Sequence, residues 1–272
     1  MSIAPQSELT SVHRTALASA ALRGAHALWG DERKIFRDDL ALKLAGMADD
    51  DAVTMMRRVD PASASTCILR SRFTEDQLEA ARDRLDQYVV LGAGLDSYAL
   101  RQGEALGDLQ VYEVEDPPFQ EWKRQRIAEL GLTEPRQLHY VPCDFEVTSI
   151  DAALAASSFD ADRPCFISWL GVTQYLTVEA TKATLAWAGA RPAGSEIVLT
   201  FLEDSKQGQD MQVPGVQKLT PFAASDMTAL LKDAGFTRVD HLSPDQASET
   251  YFRDRTDGLI APQVQRLVSA VV

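Results

Sequence analysis

Gly92 and Gly94 follow a short apolar, β-branched run, Tyr88-Val89-Val90-Leu91, and Glu115 closes the next such run at residues 109–114. A buried strand that breaks into Gly-x-Gly reads as a strand–turn junction, where positive φ is available and a ligand can press on bare main chain. A dinucleotide fingerprint needs a third glycine where this chain has Ser97. The turn therefore favours a ligand without a pyrophosphate over NAD or FAD. Glu115 stands twenty-one positions beyond Gly94, about where an acid ending the second strand reaches a ribose diol. Each piece alone is compatible with an ordinary turn or a solvated strand end. In this order and at this spacing they indicate a nucleoside without a diphosphate, and S-adenosylmethionine is the first candidate.

Holding these groups together requires a βαβ scaffold. Strands are expected over 88–91, 110–114, 138–142, 165–169 and 196–202. Helices are expected from 97, over 119–130, from about 149, and over 178–188 and 224–234. The chain then closes with two successive strands, 236–242 and 249–253, forming a hairpin at one sheet edge. Such alternation gives right-handed crossovers and a mostly parallel sheet with helices on both faces. Upstream, residues from about 10 to 79 read as helical, with a break at Asp60-Pro61 because the residue before proline is pushed out of the α region. Expected boundaries are an N-terminal helical cap or substrate lid over residues 1–80 and a cofactor-binding domain over 81–272. The polar stretch 203–215 is the candidate mobile loop.

At 272 residues, the chain suffices for one α/β domain with an added lobe. A net charge of −13 argues against a general nucleic-acid binder, because phosphate recognition leans on Lys and Arg. Cys67, Cys143 and Cys165 are widely spaced, with no C-x-x-C motif. A structural zinc site is not expected, and a reduced, cytoplasmic setting fits best. No apolar segment approaches the roughly 20 residues of a membrane span, and residues 1–8 carry no signal-peptide pattern.

Several blocks along the chain form an ordered set. They are Arg14-Thr15-Ala16, Ile35-Phe36-Arg37-Asp38-Asp39-Leu40-Ala41 and Ile68-Leu69-Arg70-Ser71-Arg72-Phe73-Thr74-Glu75-Asp76, then the L-G-A-G-x-D-x-x-x-x-R of residues 91–101. Residues 112–123 follow with their Y-E-V-x-x-P and closing Lys, then Val141-Pro142-Cys143-Asp144-Phe145 and the block from Ser168 to Thr177. Together these blocks resemble the leucine carboxyl methyltransferase family, in particular its bacterial branch of S-adenosylmethionine-dependent O-methyltransferases, and the resemblance spans roughly residues 13–258. It implies a class I methyltransferase fold, Rossmann-like, with seven strands, and S-adenosylmethionine as cofactor.

It also implies roles. Gly92, Gly94 and Asp96 would approach the methionine part of the cofactor, and Glu115 would accept from both ribose hydroxyls, where the family usually has Asp. Asp144 would accept from the adenine amino group while Phe145 packs nearby, and Trp169 would flank the cofactor. Arg70 would pair with the cofactor's carboxylate, a planar fork on a planar anion, with Arg72 as the alternative. Many family members carry Glu where this chain has Leu170, so a backbone carbonyl or another acid must hold the ammonium.

Methyl transfer from a sulfonium needs alignment more than activation. A carboxylate acceptor is already ionised at neutral pH, whereas a hydroxyl needs a base. His13 and His26, on the helices that cap the cofactor face in this family, are the candidate bases, and Tyr175 is a candidate wall of the acceptor pocket. The expected function is O-methylation of a carboxylate or hydroxyl on a small, polyketide-like metabolite, with no nucleic-acid or membrane partner. An NAD-dependent oxidoreductase and a non-catalytic cofactor-binding protein are the rival readings.

Overall fold

A computed structural model describes residues 9–145, 147–213 and 216–272. The reading of residues 1–8 lies outside these, as do Pro214 and Gly215 of the expected mobile loop.

Four helices precede the first strand: α1 (Ser11–Leu28), α2 (Ala41–Ala45), α3 (Asp49–Arg58) and α4 (Pro61–Ala81). Thr10 and His13 cap α1 reciprocally: the Thr10 hydroxyl accepts from the His13 N–H at 3.2 Å, and His13 Nδ1 accepts from the Thr10 N–H at 3.4 Å. Asp60 caps α4, accepting from the Ser63 N–H at 2.9 Å, with Pro61 in the first turn, where its missing N–H costs nothing. The break expected at Asp60-Pro61 is thus a junction between two helices. The helical stretch is less continuous than expected: residues 29–40 are not helical, and α2 stops after five residues at Gly46, whose φ of 64° ends it.

From β1 onward, strands and helices alternate. They run β1 (Gln87–Leu91), α5 (Tyr98–Gln102), β2 (Gln110–Glu115), α6 (Pro117–Glu129), β3 (Leu138–Pro142), α7 (Ile150–Ala155), β4 (Phe166–Trp169), α8 (Val178–Gly189) and β5 (Glu196–Leu202). After these come α9 (Lys206–Gln209), α10 (Ala224–Asp233), β6 (Arg238–Leu242), α11 (Pro244–Ala247) and β7 (Gln265–Val271). One seven-stranded sheet results, in the order β3-β2-β1-β4-β5-β7-β6, parallel except that β7 runs antiparallel to both its neighbours.

The C-terminus corrects the expected hairpin. Ser243-Pro244-Asp245-Gln246 forms a capping box that starts a helix, so residues 249–252 fall in the helical turn Ser248–Phe252, with Arg253 ending it, instead of a strand. The last strand is β7, which inserts between β5 and β6 and leaves β6 at the edge. Within the stretch 203–215, α9 forms one turn, and Glu203 bridges to Phe222.

All five residues of β1 are buried, as expected for a central parallel strand covered on both faces. Strand alternation sends Val90 to one face, with Phe166, Val198, Ile68, Leu69 and Leu22. It sends Val89 and Leu91 to the other, with Ile167, Trp169, Leu199 and Leu185. The first cluster therefore includes residues of α1 and α4, and these N-terminal helices share a core with the sheet. Among the described residues, no helix is long and apolar enough to cross a membrane.

Candidate active site

In an open α/β sheet, ligands bind beyond the C-terminal ends of the strands, where the strand order reverses. Here the chain moves from β1 outward to β3 and then returns to β4 on the other side of β1. A cavity of about 820 Å³ opens at that point, lined from β1, β2 and β4 below and from α1 and α4 above. Its volume lies within the 300–1,000 Å³ usual for small-ligand sites.

The turn after β1 is built for close approach. Gly92 and Gly94 have φ of 65° and 52°, where side chains are strained, and a Cβ on Gly92 would come within 2.6 Å of Val172 Cγ2. Glu115 ends β2 and faces this turn. Its Oε2 accepts from the Gly94 N–H at 2.6 Å and its Oε1 from the Asp116 N–H at 2.8 Å. Burial raises its pKa, and these two N–H groups oppose that shift. Each carboxylate oxygen keeps a second lone pair for a ligand hydroxyl. A ribose diol fits this cradle, and the bare glycine backbone leaves room beside it. Asp96 also lines the cavity, and its Oδ1 accepts from the Tyr98 N–H at 2.8 Å at the start of α5.

Arg70 lines the cavity from α4 and donates from Nη2 to Ser19 Oγ at 2.7 Å. Any Cβ on Gly171 would overlap its guanidinium. Arg72 points elsewhere, pairing with Asp76 at 2.7 Å on the exposed side of the same helix. Geometry thus separates two arginines that spacing leaves equivalent. Phe145, Leu170 and Tyr175 line the cavity as well.

Three candidates are not brought into it. Trp169 is fully buried in register with Leu91 and Leu199, in the cluster on the other face, while its neighbours Ser168 and Leu170 reach the cavity. Strand alternation decides this. Asp144 is exposed and outside the lining, and its carbonyl accepts from the N–H groups of Val147 and Thr148 at 3.0 and 2.7 Å. His26 is completely buried on α1, where its Nε2 accepts from the Ile35 N–H at 3.0 Å. Burial, reinforced by the nearby Arg255 and Lys34 charges, pushes its pKa down to about 4.

His13 does line the cavity, beside Phe119 and Asp116. It stacks on Phe119 at 4.4 Å, and its Nε2 lies 3.4 Å from Asp116 Oδ2. Burial lowers its pKa, and Asp116 partly restores it. With Nδ1 turned to the Thr10 N–H, both ring nitrogens are engaged. His139 and His241 bond to Gln110 and Thr228 and are absent from the lining.

Several residues of the site's support carry no role in the sequence reading. Arg23 holds Asp38 at 3.0 Å and the Leu95 carbonyl at 2.8 Å, tying α1 to the glycine turn. Arg101 pairs with Glu75, donates to Ser97 Oγ at 2.9 Å and lies over the Phe36 ring. Beneath Glu115, Lys123 and Glu113 form a buried pair at 2.6 Å. Charged residues inside otherwise apolar blocks were the available signal. Asp38, Glu75, Arg101, Glu113 and Lys123 all sit within the blocks quoted above.

The comparisons point to one family. The profile of the leucine carboxyl methyltransferase family matches residues 16–189. YktD of Bacillus subtilis (strain 168), named as a candidate S-adenosyl-L-methionine-dependent methyltransferase, is 32% identical over 198 residues, covering 68% of this chain and 65% of its own length. A relative from Mycobacterium ulcerans (strain Agy99), named in the same way, is 32% identical over 212 residues, covering 72% of this chain and 68% of its own. The chain thus spans about two thirds or less of the YktD length. Among solved structures, a candidate methyltransferase from Thermobifida fusca YX superposes with a TM-score of 0.59 at 14% identity, covering 94% of this chain and 93% of that one. The methyltransferase SibL gives a TM-score of 0.51 at 15% identity, covering 98% of this chain and 70% of its own. The fold is that of the class I S-adenosylmethionine-dependent methyltransferases, and the chain belongs to the leucine carboxyl methyltransferase family.

Proposed function

We propose that this chain transfers a methyl group from S-adenosylmethionine to an oxygen of a small-molecule acceptor, most directly a carboxylate. When bound, the cofactor supplies a methyl group already activated on a sulfonium, so the protein's task is alignment. Glu115 holds the ribose, Phe145 packs on the nucleobase beside Asp144, and Arg70 takes the carboxylate of the amino-acid tail. Asp96 is the acid positioned to replace the Glu missing at Leu170 and receive the ammonium. The N-terminal helices up to residue 80 act as a cap over the cavity that also lends Arg70, and residues 81–272 hold the rest of the cofactor.

The observation that carries the carboxylate reading is the state of the histidines. His26 lies in the core with its lone pair on the Ile35 N–H, and His13 has both nitrogens engaged. Neither is a free base, and an acceptor ionised at neutral pH needs none. Tyr175 and the glutamines Gln174, Gln207, Gln212, Gln263 and Gln265 line other parts of the cavity, with the Gln174 and Gln263 amides also donating to the Gly171 and Ala261 carbonyls. Amide N–H donors of this kind hold a carboxylate without neutralising it, which leaves its oxygen nucleophilic.

Two measurements test the reading. Titration calorimetry should show binding of S-adenosylhomocysteine and none of NAD; the reverse result sinks it. Methyl-labelled S-adenosylmethionine is then incubated with the protein and a small-molecule extract of the source cells. A carboxyl methyl ester releases labelled methanol in mild alkali and a methyl ether does not, so label that stays in the product would replace the carboxylate by a hydroxyl.

A further inference from the structure

Ser19 lies on α1, is nearly buried and lines the cavity. Its hydroxyl oxygen accepts from Arg70 Nη2 at 2.7 Å and from Arg23 Nη1 at 3.3 Å. A hydroxyl has two lone pairs and one proton. With both lone pairs facing guanidinium groups, the proton is left to donate. Helical Ser and Thr usually return that proton to the carbonyl one turn back, as Thr66 does to Ala62 at 3.0 Å, Thr184 to Ala180 at 3.0 Å and Thr228 to Ala224 at 2.9 Å. Among the described residues, Ser19 makes no such bond and has no other acceptor.

The surroundings fix this arrangement. Arg23 cannot swing away, because its Nε is held by Asp38 and its Nη2 by the Leu95 carbonyl. Arg70 rests against the bare Cα of Gly171 on one side and Ser19 on the other. Two cations behind an outward hydroxyl donor form a pocket that repels a cation and suits an anion.

We propose that Ser19 donates its hydroxyl proton to the carboxylate of the cofactor's amino-acid tail, so that this anion is read by Ser19 and Arg70 together. Ser19 is then a binding residue as well as the support that sets the angle of the Arg70 fork. The inference rests on the methyltransferase reading above.

The test compares S-adenosylmethionine with its decarboxylated form, which keeps the nucleoside, the sulfonium and the amine and lacks only the carboxylate. Calorimetry of the wild type should show clearly tighter binding of the carboxylate form. Ser19→Ala should weaken that form about tenfold, the size of one hydrogen bond to a charged partner, and leave the decarboxylated form within about twofold. Ser19→Ala and Arg70→Ala together should cost less than the sum of their separate effects. Should the alanine variant fail to fold, Ser19→Cys has nearly the same volume and only a weak donor, and it should lose affinity for the carboxylate form alone. Equal loss for both ligands, or no loss for either, overturns the proposal and leaves Ser19 a packing residue. Equal wild-type affinity for the two forms also overturns it while sparing the methyltransferase reading. A wild type that binds neither form sinks that reading itself.

Discussion

The two ends of the cavity are made in different ways. The end proposed to take the nucleoside comes from residues 90–96, 115–119 and 145 on adjacent strand ends, with His13 and Ala16 of α1 beside them, and it presents bare main chain and the carboxylates of Asp96, Glu115 and Asp116. The other end is gathered from α4, residues 207–213 and residues 263–265, and it presents amides, small hydroxyls and apolar side chains together with the charged Asp60, Arg70 and Asp210. A ligand held by backbone requires glycines and an acid at set distances along the sequence. A ligand held by side chains from distant segments requires only that the fold bring them together.

The largest test of this contrast concerns the floor of the nucleoside end. Lys123→Met should destabilise the protein by about 3–5 kcal/mol, because it leaves Glu113 buried without its cation. Glu113→Gln added to Lys123→Met should recover much of that loss in urea denaturation. A small loss from Lys123→Met alone would mean that water reaches Glu113 and the floor is softer than drawn.

Gly94→Val should reduce S-adenosylhomocysteine affinity by roughly a hundredfold or more, since φ there is 52° and the added carbon would press on Ala16. A folded variant that binds normally would show that backbone approach is not how this end works. Glu115→Ala should cost roughly a hundredfold or more in the same measurement, for two charge-assisted bonds at about 1.5–3 kcal/mol each. Glu115→Gln should lose nearly as much, because its NH₂ group would face either the Gly94 or the Asp116 N–H.

Acid should loosen the side that α1 supports. The folded protein takes a proton on His26 only near pH 4, whereas the unfolded chain does so near 6.5. Stability is therefore complete above about pH 6.5 and falls as the pH drops toward 4, by about 1 kcal/mol at pH 5.5. His26→Gln, which keeps an acceptor for the Ile35 N–H, should flatten that part of the curve in urea titrations at pH 7 and pH 5.5. The smallest effect is expected at the acceptor end. Gln212→Leu and Gln263→Leu should leave S-adenosylhomocysteine affinity within about twofold while changing the KM for an acceptor. A loss of cofactor affinity there would erase the distinction between the two ends.

The same contrast explains what was legible in the sequence. The strand, turn and second strand that carry Gly92, Gly94 and Glu115 were readable because they are consecutive, and parallel order follows from alternation. Arg70 and Arg72 were not separable, since both lie on one helix and only packing against Ser19 and Gly171 chooses between them. Trp169 was misplaced by one residue of strand alternation, and β7 went unread because its partners are set by long-range pairing after a helix that Ser243 caps. The Gln-lined end left no local pattern at all.

The cavity is rich in acids, with Asp60, Asp96, Glu115, Asp116 and Asp210 on its walls, in a chain of net charge −13. S-adenosylmethionine carries one net positive charge, and the S-adenosylhomocysteine left after transfer carries none. The protein's field therefore draws the reactant in and weakens its hold once the charge is gone. An anionic acceptor of the kind proposed above would be repelled until the sulfonium is in place, so the proposal implies an order of arrival: cofactor first, carboxylate second. Added salt should accordingly slow capture of the methyl donor and leave departure of the spent nucleoside almost unchanged.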